Sequence, residues 1–165
     1  MREGDAAMTL SFDDWLALQA LYTDYAMALD AGELQRWPGF FIEEGRYKLQ
    51  SRENFERDLP LCTLSFESRG MLLDRVHGVV DTIYHDPYWQ RHVVGAPRVL
   101  AVADDGIRSE ASYVVIRTKR DAMPEILSTG RYVDRIVRTP EGLRFAERHC
   151  IFDNDLIANS IIAPI

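Results

Sequence analysis

The back half of the chain leaves few folds open. From residue 92 to 155 four β-rich segments follow one another with only turn-length gaps. "HVVGAPRVLAVA" and "IRSEASYVVIRT" flank "DDG" at Asp104 to Gly106, and "EILSTGRYVDRIVRT" and "LRFAERHCIFDND" flank "TPEG", with Pro140 and Gly142. Both gaps carry the residue types that set turn dihedrals without steric cost. Short connections between successive strands favour an antiparallel meander.

The front half is helical. Trp15, Leu18, Tyr22, Tyr25 and Leu29 recur at spacings of three and four, which places them on one face. Ser11 with Asp14 approximates a capping box, and Gly32 is a natural stop. "ELQRWPGFF" predicts a second, short helical segment with Leu34, Trp37, Phe40 and Phe41 on its apolar side and Pro38 limiting its regularity. "GRYKLQS" alternates as a strand, residues 51–67 read as a loop around Pro60, and Met71, Leu72, Arg75, Val76, Val79 and Val80 at helical spacing predict a helix over roughly 70–83. Helices gathered ahead of a run of strands define α+β: a curved antiparallel sheet with N-terminal helices on one face. With 165 residues and no repeat or linker, the chain reads as one domain, residues 1–165.

Charge narrows the function classes. A formal net charge of −7 gives no basic face for nucleic acid and disfavours an anionic membrane surface. No apolar run approaches the roughly 20 residues of a membrane span, and "MREGDAAMTLSFDDW" lacks a signal peptide's apolar centre, so a cytoplasmic protein is expected. Cys62 and Cys150 lie far apart without CxxC spacing and read as reduced thiols in packed positions.

Residues 71–93, "MLLDRVHGVVDTIYHDPYWQRHV", hold three of the four histidines among three aspartates. On a helix, Asp74 shares a face with His77, and His77 with Asp81. That spacing is permissive only. Pro87 breaks the helix near His85 and Asp86, His92 opens a strand, and no HExxH, paired CxxC or EF-hand loop occurs. The stretch therefore predicts no metal ligand set. Nucleotide-binding loops and a GxSxG elbow are also missing. A proton-transfer site needs only one base and a polar partner, so Tyr25, Asp30, His92, Tyr132, Asp134, Glu147 and His149 stand as candidates for it.

Strict alternation in the last strand puts Leu143, Phe145, Glu147, His149 and Ile151 on one side and Arg144, Ala146, Arg148, Cys150 and Phe152 on the other. Neither side is cleanly apolar. A polar pocket beneath the strand or a second subunit against it accounts for that, and solvent exposure accounts for the arginines alone.

The stretches "YAMALDAGELQRWPGFFIEEGRYKL", "MLLDRV" with "YWQRHVVGAPRV", and "GRYVDRIVRTPEGLRFAERHCIFDND" together resemble the small (beta) subunit of bacterial aromatic-ring-hydroxylating oxygenases. "SRENFERDLPL" and "SIIAPI" look most like the salicylate hydroxylase branch, which serves aromatic carboxylates. The resemblance implies a cystatin-like cone of the nuclear-transport-factor-2 type. It implies a non-catalytic assembly subunit with no cofactor of its own. The partner large (alpha) subunit would hold the Rieske two-iron cluster and a mononuclear iron, in a complex of three large and three small subunits served by a ferredoxin and reductase. A ring of this kind would let electrons pass from one large subunit's cluster to its neighbour's iron. The Asp/His-rich stretch then maps onto a structural and subunit-contact region. Asp74, Arg75, His77, Arg91, His92, Tyr132 and Asp134 are the residues implied there. The rival expectation is a stand-alone isomerase or dehydratase with a buried Asp–His or Tyr–Asp pair lining an open cavity in the cone.

Overall fold

The computed structural model describes residues 10–154 and 161–165. The acidic segment 1–9, Asp155 of the last predicted strand and Ser160 of "SIIAPI" lie outside the described residues. Helix α1 (Phe12–Asp30) opens the fold. Ser11 Oγ accepts from the Asp14 amide at 3.1 Å, and Gly32 takes a left-handed φ of 72° just past the last turn. Leu18, Tyr22, Tyr25 and Leu29 are buried as their spacing predicts, but Trp15 stays exposed and stacks on Phe12. A 3-10 segment (Leu34–Phe40) with Pro38 inside it drives Trp37 into the core.

Strand β1 (Phe41–Ser51) begins four residues before the predicted strand. The predicted loop 51–67 contains a short helix α2 (Arg52–Glu56) and strand β2 (Leu64–Phe66). Helix α3 (Arg69–His77) passes into a π-helical turn (Gly78–Thr82). The run read as one strand over 92–103 is two, β3 (Tyr88–Val94) and β4 (Arg98–Ala103), interrupted at Gly95 to Pro97. His92 therefore sits inside β3 rather than opening it. Strands β5 (Gly106–Lys119), β6 (Glu125–Thr139) and β7 (Gly142–Phe152) complete the meander.

The sheet runs β2-β1-β7-β6-β5-β3, with β4 also on β5. Its pairs are antiparallel except β1 with β7, which is parallel and makes the sheet mixed. Curvature comes from register shifts. Arg135 pairs with Glu147 but Ile136 with Phe145, leaving Ala146 as an extra residue on β7. At Gly130 the neighbouring strand comes so close that a Cβ would lie 1.9 Å from the Ile151 carbonyl oxygen.

The extra residue at Ala146 corrects the strict alternation read from the sequence. Leu143 and Phe145 face the core, and beyond Ala146 so do Arg148, Cys150 and Phe152. Glu147 and His149 turn the other way, where Phe55 of α2 meets the His149 ring at 5.1 Å. The core lies between the concave sheet face and α1, the 3-10 segment and α3, and Trp37, Phe41, Tyr47, Phe145 and Tyr132 fill its centre.

Candidate functional site

Arg148 occupies the middle of the cone, fully buried. Its Nε and Nη2 donate to Asp134 Oδ1 and Oδ2 at 3.2 and 3.0 Å. The Tyr22 hydroxyl also donates to Asp134 Oδ2, and it lies 3.0 Å from Ser109 Oγ. Aromatic faces surround the guanidinium: its carbon is 3.9 Å from the Tyr132 ring centre, 4.1 Å from Phe145, 4.2 Å from Tyr25 and 4.8 Å from Tyr22. Burial pushes the Asp134 carboxyl up from its ordinary value while Arg148 pulls it down. Burial also opposes the Arg148 charge, but Asp134 and the phenols hold its value well above normal. Burial raises the Tyr22, Tyr25, Tyr47 and Tyr132 phenols as well, so all four keep their protons.

The sequence picked out Tyr132 and Asp134 but missed Arg148, Tyr22 and Ser109. One signal was present: an arginine between Phe145 and the apolar Cys150–Phe152 run, which reads as inward once a one-residue insertion is allowed.

A second constellation joins Asp30, at the end of α1, to β3. Asp30 accepts from the His92 amide at 3.0 Å through each carboxylate oxygen and contacts His92 Nδ1 at 2.6 Å, and Arg91 Nη1 lies 3.7 Å away. The carboxylate thus caps a backbone donor on the edge strand. His92 Nε2 is buried and has no hydrogen-bond partner. The pair borders a groove of about 490 Å³ between α1 and β3, lined also by Gln19, Tyr22, Met27 and Pro97.

The remaining histidines diverge. His77 is exposed and pairs with Asp81 at 2.6 Å on the surface of α3 and the π turn, and His85 lies against Tyr88. Among the described residues no three His, Cys, Asp or Glu side chains converge on a metal position. Iron–sulfur ligation does not fit the thiols either. Cys150 Sγ is engaged by the Ile165 main-chain oxygen at 3.3 Å, and burial pushes its thiol up to about 12. Cys62 sits half-exposed in the loop after α2, its Sγ 3.7 Å from the Pro60 carbonyl oxygen, rather than in the packed position expected.

Of the other residues singled out, Asp74 is exposed on α3. Arg75, half-buried beside it, donates to the Ile161 and Ile162 carbonyls at 3.1 and 3.0 Å. Those carbonyls lead to Ile165, which is fully buried in the core. Glu147 pairs with Arg46 at 2.9 Å on the outer face.

The family model of the SnoaL-like domain matches residues 11–149. The chain is 29% identical to the anthranilate 1,2-dioxygenase small subunit of Burkholderia cepacia over 96% of its length and 98% of the relative's. A crystal structure from Novosphingobium aromaticivorans, assigned as the beta subunit of an aromatic-ring-hydroxylating dioxygenase, superposes with a TM-score of 0.83 at 33% identity, covering 92% of this chain and 96% of that one. The chain belongs to the SnoaL-like family, among the beta (small) subunits of aromatic-ring-hydroxylating dioxygenases. The benzoate 1,2-dioxygenase beta subunit of Burkholderia mallei shares the fold at 13% identity and a TM-score of 0.72, covering 92% of this chain and 97% of that one. No helix among the described residues is long and apolar enough to cross a membrane.

Proposed function

We propose that this chain is a non-catalytic assembly subunit of a Rieske oxygenase whose substrate is an aromatic acid of the benzoate or salicylate type. Three copies would brace three large subunits, and the large subunits would carry the Rieske cluster and the mononuclear iron. The observation that supports this best is the filling of the cone. Trp37, Tyr47, Phe145 and Ile165 pack together in the interior of the cone, and Asp134, the deepest acid, is tied to Arg148. Both oxygens of that carboxylate already accept hydrogen bonds, from the Arg148 fork and from the Tyr22 hydroxyl. The anthranilate relative, and the benzoate protein that shares the fold, are both named for aromatic carboxylates.

Buried His92, Tyr132 and Asp134 fall on the structural side of this role. Exposed Asp74, His77 and Arg91 are left for partner contact. Expression with a large subunit tests the reading: a coloured iron-containing complex should form, and its iron should stay with the large subunit when the two are separated.

One observation favours a second reading. The Asp30–His92 pair borders an open groove, and its Nε2 is unpartnered, which is the acid–base arrangement the isomerase or dehydratase alternative requires. Turnover per assembled iron centre in His92→Ala separates the two.

A further inference from the structure

We propose that the cone contains a ligand pocket filled by the chain's own residues 161–165, and that withdrawal of Ile165 opens it to a small carboxylate borne on an aromatic ring. This inference stands apart from the assembly role and does not rest on it.

The cradle around Ile165 carries more polar chemistry than packing requires. Its main-chain oxygen accepts from the Tyr25 hydroxyl at 3.0 Å, the Tyr47 hydroxyl at 3.3 Å and the Cys150 thiol at 3.3 Å. Its amide donates to Tyr47 at 3.1 Å. Donors from α1, β1 and β7 thus converge on one oxygen. An interior that needed only apolar filling would be cheaper without them, because each buried polar group must be matched.

Further donors lie nearby. The Tyr25 ring rests on the Arg148 guanidinium, and Arg148 Nη1 and the Tyr132 hydroxyl are buried with no partner. The walls are aromatic. Trp37 donates its indole N–H to the Tyr25 hydroxyl at 3.1 Å and packs edge-on to Tyr47 with centroids 5.2 Å apart, while Phe66 stacks on Tyr47. Hydroxyl and thiol donors around one oxygen, the unpartnered Nη1 of the Asp134-paired Arg148 behind them and ring faces beside them suit a carboxylate on a planar ring.

The segment is also placed to leave. Only its inner end is deeply buried, since residues 161–163 are partly exposed. Arg75 clasps it through the Ile161 and Ile162 carbonyls. Its withdrawal is a local opening, which leaves the sheet paired.

Cys150 reports that opening, because its thiol is covered by Ile165. The test uses the full chain carrying Cys62→Ser. Cys150 alkylation is followed at urea concentrations below the unfolding transition, with and without benzoate as the probe. We expect labelling that is independent of urea at low concentration, at least tenfold faster in Arg75→Met, and slowed saturably by benzoate but not by benzyl alcohol. Ile165→Gly, which removes the side chain anchoring the segment and so eases withdrawal of its oxygen from the donors, should show a saturable benzoate effect on Trp37 fluorescence. Labelling that tracks global unfolding at every urea concentration would overturn the opening. Opening without protection by benzoate in either variant would overturn the carboxylate site. If both variants fail to fold, the urea and benzoate dependence of the Cys62→Ser chain alone decides.

Discussion

The Arg148 guanidinium carbon lies 4.1 Å from the ring centre of Phe145, three residues earlier on the same strand. In an unbroken strand, residues three apart point to opposite faces. Here Ala146 adds one residue against β6, so both enter the core and the arginine finds its aromatic cage and its acid.

The buried pair should resist single substitutions badly. Arg148→Ala or Asp134→Ala leaves one uncompensated charge at a fully buried position, and we expect a loss of about 3–5 kcal/mol in urea denaturation. The double variant Asp134→Leu with Arg148→Met should recover much of that loss. A double variant as unstable as the sum of the singles would contradict this.

Gly130→Ala should destabilise by at least the 1–3 kcal/mol typical of overpacking, because the new Cβ meets backbone and no side chain can rotate away. Thermal melts of this variant beside Gly39→Ala, where nothing lies within 4 Å, should show the difference.

Acid should weaken the region between β7 and the loop after α2. Gln50 Nε2 donates to the Leu59 and Leu61 carbonyls at 2.6 and 3.2 Å, which turns its Oε1 to His149 Nε2 at 2.8 Å. His149 must then donate through its Nε2–H. Burial, with Lys48 nearby, holds its value below the ordinary 6.5. A lowered histidine value means the unfolded chain takes up the proton first. The contribution of His149 is therefore complete above about pH 6.5 and is lost as pH falls through the lower folded value. His149→Gln should flatten the stability profile in that window. An unchanged slope would show that His149 does not set it.

In the assembled oxygenase, Asp134→Asn, His92→Ala and His149→Ala should change the yield of complex but not turnover per iron centre. A positioned general base contributes on the order of 10² to 10⁴ in rate. A hundredfold loss in His92→Ala with normal iron content would transfer the role to the Asp30–His92 groove.

Local signals carried much of the fold. The buried stripe of α1 followed from residue spacing, and the turns at Asp104 to Gly106 and Pro140 to Gly142 followed from their chemistry. What escaped was non-local. The parallel match of β1 to β7 leaves no trace in either strand's period, and the extra residue at Ala146 looks like any alanine in sequence. For the same reason Asp30 stood in the sequence only as one proton-transfer candidate, with nothing to show that its carboxylate serves an amide 62 positions away.

The β1–β7 pairing also sets an order on synthesis. Arg46 must wait for Glu147, 101 positions later, before the sheet can close. At the usual elongation rate of about 5–20 residues per second, that interval lasts on the order of 5–20 seconds. Throughout it, Phe41, Tyr47 and Leu49 have no strand beside them on the β7 side. The nascent small subunit is then at its most adhesive, and a large subunit can be offered a finished binding face only after nearly the whole chain has emerged.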